Sequence, residues 1–156
     1  IVGCGSVGTE CAKRFAAFGC QVVGIDLYPG KKQYYQKMLH LNMFDDVLPQ
    51  SDIIVLTLPL TEETHYLMNN SRFEQLKEGV ILVNIARGAV IDTEALINHL
   101  DKLGGAVLDV FEEEPLPEDN KLWDREEVIL IPHNSFVGEN NQKRLSKIIM
   151  ENLKGK

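Results

Sequence analysis

Short apolar runs alternate with segments of helical periodicity along the whole chain, and this alternation restricts the fold more than any other feature. Helical periodicity is clearest over residues 6–18 and 139–153. The strand-like runs lie at residues 1–2, 21–25, 53–58, 80–85, 106–111 and 128–131, with a weaker one near Leu41. Strands that alternate with helices form right-handed βαβ units. We therefore predict an α/β fold with a doubly wound parallel sheet in a three-layer α/β/α arrangement, in which the runs at 53–58 and 80–85 are buried on both faces.

Residues 3–8 read Gly-Cys-Gly-Ser-Val-Gly, which fits the pattern G-x-G-x-x-G between a strand and a helix. In a dinucleotide-binding (Rossmann) fold, Gly3 allows the tight turn, Gly5 admits the pyrophosphate and Gly8 lets the helix pack against the strand. The helix N-terminus then offers N–H groups to the phosphates. Asp26 ends the next strand, where a carboxylate accepts hydrogen bonds from the adenosine ribose. A dinucleotide site is predicted; the alternative is a glycine-rich turn that binds another nucleotide or none.

The residues around Asp26 favour NAD over NADP. A 2′-phosphate beside this carboxylate would suffer like-charge repulsion. Leu27 follows it, at a place where an arginine would indicate NADP. Lys31 and Lys32 lie close in sequence and leave the tolerance for NADP open. We predict NAD as the cofactor.

Charge and composition argue against several other classes of protein. The formal net charge is −7 without a basic stripe, which disfavours nucleic-acid and anionic membrane partners. Cys4, Cys11 and Cys20 form no CxxC pair, so neither a disulfide framework nor a zinc or other metal site is predicted. No apolar run reaches the roughly 18 residues of a membrane span, and the N-terminus has no basic leader region. We expect a cytoplasmic protein that binds small molecules.

Three polar segments come directly after successive predicted strands. Arg87 lies in residues 83–92, Asp109 and three adjacent glutamates lie in residues 108–115, and His133 lies in residues 131–135. In a doubly wound sheet, ligands bind at the carboxyl ends of the strands. An arginine, a carboxylate and a histidine that converge on this edge would form a usable site.

These segments, together with the glycine motif and the Pro59-Leu60-Thr61 stretch with Thr64, resemble the signature motifs of the D-isomer-specific 2-hydroxyacid dehydrogenase family in order and spacing. The resemblance covers nearly the whole chain. It implies an NAD-dependent oxidoreductase that transfers a hydride between nicotinamide and a 2-keto or D-2-hydroxy acid. Such enzymes, commonly dimeric, place the active site in a cleft between a nucleotide-binding and a substrate-binding domain. Residues 1–156 correspond to the dinucleotide-binding domain alone, and the substrate-binding domain is absent from this chain.

The resemblance also assigns the site residues. The family's catalytic arginine, glutamate and histidine fall on Arg87, Glu114 and His133; Glu114 is selected among its neighbours because it immediately precedes Pro115. Asp109 matches a position that contacts the nicotinamide carboxamide. The cofactor contacts implied are Gly3, Gly5, Ser6, Val7, Gly8, Asp26, Leu58, Pro59, Thr64, Ile85, Ala86 and Asp109.

The chemistry gives each catalytic residue a reason to be present. Arg87 can bind the substrate carboxylate with two parallel hydrogen bonds and polarise the adjacent carbonyl. His133 can donate a proton to the carbonyl oxygen when hydride arrives at carbon, and accept it in reverse. Glu114 can orient the imidazole ring and stabilise its protonated form. Without these roles, Arg87 would be a surface ion pair, Glu114 a solvated loop residue and His133 a cap for a backbone carbonyl.

The sequence leaves the function, the substrate and the direction of the reaction open. The same fold serves NAD(H)-sensing, corepressor-like proteins that need no catalysis. Many family members have glycine or alanine where this chain has Ser135, followed by Phe136. We therefore expect this loop to shape the substrate pocket, and the particular 2-hydroxy acid is undetermined. The direction of the reaction is equally open. Residues 1–156 alone are expected to bind the cofactor without efficient catalysis, because half of the cleft is missing.

Overall fold

The computed structural model describes residues 1–135 and 137–154. The strands are β1 (Val23–Asp26), β2 (Lys37–His40), β3 (Ile53–Leu56), β4 (Val80–Asn84), β5 (Leu103–Leu108) and β6 (Val128–Leu130). The α-helices are α1 (Ser6–Ala17), α2 (Phe44–Val47), α3 (Asn70–Gln75), α4 (Thr93–His99) and α5 (Asn141–Lys154). The elements fall where the periodicity predicts them, with ends that differ by a few residues.

All strand pairs are parallel, in the order β3-β4-β5-β6 on one side and β1-β2 on the other. Val2 joins the two groups, because it forms a parallel bridge to Ile25 of β1 and another to Leu56 of β3. The sheet therefore runs β2-β1-Val2-β3-β4-β5-β6. The chain moves outward in one direction from Val2 and then outward in the other, which confirms the predicted doubly wound topology.

Helices lie on both faces of the sheet, as the handedness of parallel crossovers requires. Right-handed connections place α1 on one face and α2, α3 and α4 on the opposite face. The main core lies on the second face, where inward side chains of the sheet meet those of the helices. Its members include Leu56, Leu82, Phe44, Phe73 and Leu96, each at most 2% exposed.

The expectation of burial on both faces is confirmed for most of β3, where Val55 and Leu56 point to opposite faces and are 3% and 0% exposed, but it is wrong for β4. Ile53 of β3 and Ile81 of β4 retain 37% and 39% exposure, while Leu56 and Leu82 are fully buried. Alternate strand residues point to opposite faces, so the exposed isoleucines lie on the face away from the main core. Ile129 of β6 continues the pattern at 59% exposure. Part of this face, at these three isoleucines, is therefore open to solvent.

Helix α5 also leaves its apolar stripe uncovered. Leu145, Ile148, Ile149 and Leu153 recur at helical spacing, as the sequence predicts, but all four are exposed. None of the helices within the described parts of the chain has the length and apolarity needed to cross a membrane.

Candidate cofactor and active site

The glycine loop leaves space where a phosphate would approach and closes space where the chain must pack. A Cβ added at Gly3, whose φ is +88°, would lie 2.7 Å from the Leu58 backbone, and one at Gly8 would lie 2.2 Å from the Gly3 carbonyl oxygen. A Cβ at Gly5 would meet nothing within 4 Å. No side chain caps the N-terminus of α1 at Gly5. Ser6 and Val7 begin this helix, so its first N–H groups face the open side of the loop.

Asp26 lies beside this loop, at the carboxyl end of β1. Its carboxylate accepts hydrogen bonds from the Cys4 amide at 2.7 Å and from the Tyr28 amide at 3.0 Å. The Lys32 ammonium donates to the Cys4 carbonyl oxygen. Partial burial acts to raise the pKa of Asp26, but the two amides and the nearby Lys32 charge outweigh it, so the pKa lies below its ordinary value. Asp26 is therefore an ionised acceptor at neutral pH, with a lysine close by.

A cavity of about 200 Å³ opens next to Asp26. Its lining includes five of the predicted cofactor residues: Gly3, Asp26, Leu58, Pro59 and Thr64. Thr64 is 2% exposed. Its hydroxyl bonds to its own loop, because it donates to the Pro59 carbonyl at 2.8 Å and accepts from the Thr61 amide at 2.7 Å. Thr64 thus shapes the loop that forms one wall.

Sequence reasoning missed two residues that line the same cavity, Tyr28 and Leu41. The sequence does not single out Tyr28, and it places Leu41 only near a weak strand. Leu41 directly follows β2, which pairs with β1 so that Asp26 and His40 are in register. Position just after a strand end was the available signal, because both residues stand at the carboxyl edge.

Arg87 projects from a turn that a buried asparagine holds in place. Asn84, at the end of β4, is 1% exposed; its side-chain oxygen accepts from the Ala86 amide and its amide nitrogen donates to the Arg87 carbonyl, both at 3.0 Å. Ile85 and Ala86 form the turn itself. The exposed Arg87 guanidinium donates to the Ala86 carbonyl at 2.6 Å and enters no ion pair with the described residues. Asn84 was missed because a polar residue ending a strand looks ordinary in sequence.

Glu114 and His133 form a pair across the carboxyl edge. His133 Nδ1 lies 2.6 Å from a Glu114 carboxylate oxygen, and the other oxygen accepts from the Phe111 amide at 2.9 Å. Partial burial acts to raise the pKa of Glu114, but the hydrogen bonds from His133 and Phe111 outweigh it and hold the pKa below its ordinary value. The ionised carboxylate can only accept, so Nδ1 carries the proton between them.

His133 has a left-handed backbone conformation, with φ of +46°. This region is disfavoured for residues with a side chain and persists where the surroundings impose it, often at functional sites. The His133 amide donates to the Ile131 carbonyl at 2.9 Å, which closes the turn on one side. Phe136, which follows the predicted loop, lies outside the described residues.

Asp109 is 1% exposed and is bonded to the loop that carries His133. Its carboxylate accepts from the amides of Asn134 and Ser135 at 2.9 and 3.1 Å, and from the Ser135 hydroxyl at 2.5 Å. Sequence reasoning linked Asp109 with the nicotinamide carboxamide and Ser135 with the substrate pocket. It did not predict that the two side chains bind each other.

Glu112, two residues before Glu114, makes different contacts. Its carboxylate accepts from the Tyr66 hydroxyl at 2.6 Å and from the Thr93 amide at the start of α4 at 2.9 Å. It therefore ties the acidic loop to two other segments at the same edge. The sequence presented Glu112 only as a rejected alternative to Glu114. In the structure, Glu112 binds Tyr66 and Thr93, whereas Glu114 binds His133.

The structure brings the predicted site residues to one edge of the sheet in two groups. The glycine loop, Asp26 and the residues after β3 form the first, and the segments after β4, β5 and β6 form the second. Within residues 1–135 and 137–154, no group of three or more His, Cys, Asp or Glu side chains is placed to hold a metal ion.

The sheet is doubly wound and parallel, an uncapped glycine loop lies at its switch point, and an acidic residue ends the next strand. These features together define a dinucleotide-binding domain. Residues 1–135 match the family described as "D-isomer specific 2-hydroxyacid dehydrogenase, NAD binding domain". The chain therefore belongs to this family and is its NAD-binding domain.

The chain is also similar in sequence to curated dehydrogenases and reductases. The chain is 35% identical to a glyoxylate reductase of Thermofilum pendens over 98% of its own length and 46% of that protein. It is 40% identical to a D-lactate dehydrogenase of Treponema pallidum over 89% of its own length and 46% of that protein. The chain spans about half the length of the curated relatives it matches.

Solved structures agree in fold. A D-isomer specific 2-hydroxyacid dehydrogenase family protein from Aeromonas salmonicida superposes with a TM-score of 0.90 at 39% identity, covering 97% of this chain and 49% of that one. A D-isomer specific 2-hydroxyacid dehydrogenase from Xanthobacter autotrophicus in complex with NADPH and MES gives a TM-score of 0.80 at 38% identity, covering 85% and 42%. The second complex shows that this fold accepts NADPH in at least one relative.

Proposed function

We propose that this chain supplies the cofactor site and the catalytic side chains of an oxidoreductase that interconverts 2-keto acids and D-2-hydroxy acids. The observation that carries the proposal is the 2.6 Å contact between Glu114 and His133 at the sheet edge that also presents Arg87. The Glu114 carboxylate orients the His133 imidazole, and Arg87 at the same edge has no ion-pair partner in the described chain. This arrangement suits proton transfer to an anionic substrate.

The cofactor site fits a dinucleotide on geometric grounds. Open space at Gly5 and the uncapped N-terminus of α1 would receive the pyrophosphate, and the Asp26 carboxylate would accept from the adenosine ribose. The cavity walled by Leu58 and Pro59 would enclose the adenosine end. A bound nicotinamide supplies or accepts the hydride. The protein's own part is to hold the ring near His133 and exclude water.

Arg87 and His133 divide the work on the substrate. Arg87 binds the carboxylate of the 2-keto acid and polarises the neighbouring carbonyl. The Nδ1–H group of His133 donates to Glu114. The proton that His133 exchanges with the substrate carbonyl oxygen is therefore the one on Nε2. Glu114 is held ionised by its own lowered pKa, so it stabilises the imidazolium before transfer and keeps the tautomer fixed.

NAD is the proposed physiological cofactor. The ionised Asp26 opposes a 2′-phosphate by like-charge repulsion, and Lys32 lowers this repulsion without removing it. Side-by-side titration of the full-length protein with NADH and NADPH tests the assignment. Tighter binding of NADH supports it, and equal or tighter binding of NADPH contradicts it.

The enzymatic proposal is tested by NADH oxidation with a panel of 2-keto acids, including glyoxylate and pyruvate, in the full-length protein. Turnover with any of them supports the proposal. Tight NADH binding without turnover of any acid would favour the competing function, an NAD(H)-sensing, corepressor-like protein.

The remaining inferences concern the whole protein. This domain joins a substrate-binding domain that closes the cleft, the protein works in the cytoplasm, and it forms a homodimer. Light scattering on the full-length protein tests the last point, since a monomer at micromolar concentration would contradict it.

A further inference from the structure

Several hydrogen bonds hold a buried carboxylate to the histidine loop, and the shortest comes from a serine hydroxyl. Ser135 Oγ lies 2.5 Å from an Asp109 carboxylate oxygen, and the amides of Asn134 and Ser135 supply the other donors. None of the ion pairs within the described chain includes Asp109, which is 1% exposed. Its charge is therefore met by hydrogen-bond donors of this loop, as a buried charge requires.

The same loop imposes an unfavourable backbone conformation on His133. With φ of +46°, His133 stands two residues before Ser135. The His133 amide donates to the Ile131 carbonyl on one side of the turn. On the other side, Asp109 accepts hydrogen bonds from the two amides that follow His133 in the chain. A left-handed turn clamped on both sides directs the ring towards Glu114.

We propose that Ser135 is a positioning residue for His133, acting through Asp109. The inference rests on the proposed function, in which His133 transfers the proton. The Ser135 hydroxyl fixes the Asp109 carboxylate, the carboxylate fixes the loop, and the loop fixes the distance from His133 to Glu114. The hydroxyl bonds Asp109, so its contribution to catalysis is through loop position rather than through contact with substrate.

Removing the hydroxyl weakens this arrangement selectively. In Ser135→Ala, the carboxylate oxygen that Ser135 Oγ contacts keeps only the Ser135 amide, at 3.2 Å. The two backbone donors persist, so the loop loosens without being released. Charge-assisted hydrogen bonds of this kind are among the stronger ones, and a catalytic proton donor is sensitive to small displacements.

The kinetic experiment compares four forms of the full-length protein: wild type, Ser135→Ala, Ser135→Thr and Ser71→Ala. Threonine keeps a hydroxyl on the β carbon, and Ser71 is an exposed serine on α3 that serves as the matched control. With NADH and glyoxylate, we expect Ser135→Ala to lower kcat about tenfold with little change in the KM for NADH. Ser135→Thr should retain most of the wild-type kcat, and Ser71→Ala all of it.

A proton NMR measurement gives a readout that does not need turnover. The His133 Nδ1 proton in the 2.6 Å contact with Glu114 should resonate far downfield in the wild type. We expect this signal to broaden or vanish by solvent exchange in Ser135→Ala and to persist in Ser135→Thr and Ser71→Ala. A thermal unfolding scan of each variant confirms that the comparison is made on folded protein.

The outcomes separate the two proposals. If Ser135→Ala retains both the wild-type kcat and the downfield signal, Ser135 does not position His133. If Ser135→Thr loses both to the same extent as Ser135→Ala, the hydroxyl is not the operative group, and the inference fails as well. If the wild type reduces no 2-keto acid but the signal still depends on the Ser135 hydroxyl, the positioning inference stands and the proposed function fails.

Discussion

Gly88 packs against the backbone of Phe111 so closely that a Cβ at residue 88 would lie 1.9 Å from the Phe111 carbonyl carbon and oxygen. This contact sets the spacing between the turn that carries Arg87 and the acidic loop that carries Glu114. A side chain at residue 88 must displace backbone rather than a flexible side chain, so the two loops would have to separate.

Gly88→Ala should therefore separate Arg87 from the Glu114–His133 pair. Overpacking of this kind costs about 1–3 kcal/mol of unfolding free energy. We expect urea unfolding to show this loss, and kcat with a 2-keto acid to fall more than NADH affinity does. Gly30→Ala is the matched control, because a Cβ there meets nothing within 4 Å. Equal stability of the two variants would contradict the packing argument.

Glu114→Gln should impair catalysis. Glutamine has a single acceptor oxygen, so it can keep the bond from His133 or the bond from the Phe111 amide but not both, and it lacks the charge that stabilises imidazolium. We expect kcat to fall about 10- to 100-fold and the pH profile of kcat to change. Because the pKa of Glu114 is lowered, its charge is lost only as the pH falls through that pKa, below the ordinary range of a glutamate. Glu113→Gln, one residue away, should leave both quantities unchanged.

Glu112→Gln should instead act on stability. Partial burial acts to raise the pKa of Glu112, but hydrogen bonds from Thr93 and Tyr66 outweigh it and lower the pKa. A group whose pKa is lowered on folding stabilises the fold above its ordinary pKa and loses this effect as the pH falls. We expect Glu112→Gln to cost about 1 kcal/mol at pH 7, and the difference from wild type to disappear as the pH falls through the lowered pKa of Glu112. A difference independent of pH would exclude the ionised carboxylate as its source.

Asp26→Asn should alter cofactor preference. Losing the charge weakens the acceptor for ribose and relieves repulsion of a 2′-phosphate, with Lys32 still nearby. We expect the affinity for NADH to fall about tenfold. The ratio of the NADH affinity to the NADPH affinity should fall at least tenfold as well. Fluorescence titration of both cofactors measures this. Asp46→Asn, an exposed carboxylate on α2, is the control; an unchanged preference in Asp26→Asn would contradict the ribose assignment.

Local patterns were sufficient to predict the fold. Apolar runs and helical spacing predicted the strands, and the glycine motif with Asp26 identified the switch point, because each depends on residues close in sequence. The open sheet face was not predictable in this way. Ile81 and Leu82 look equally apolar, and only the position of α3 and α4 decides that Leu82 is buried while Ile81 is exposed.

The side-chain network between loops required the tertiary structure. Tyr66 and Glu112 are 46 residues apart, and Asp109 and Ser135 are 26 apart. Motif resemblance selected Glu114 among three adjacent glutamates, yet it gave no task to Glu112. It also marked Ser135 as a departure from the family pattern, without indicating that its hydroxyl binds a buried carboxylate.

We propose that His133, oriented by Glu114, transfers the proton in reduction of a 2-keto acid. Measuring kcat and NADH affinity of His133→Gln in the full-length protein tests this role, with His40→Gln, at the end of β2, as a control. We expect His133→Gln to lose kcat at least 100-fold with NADH affinity within about threefold of the wild type, and the control to be unchanged. Retention of wild-type kcat by His133→Gln would contradict it.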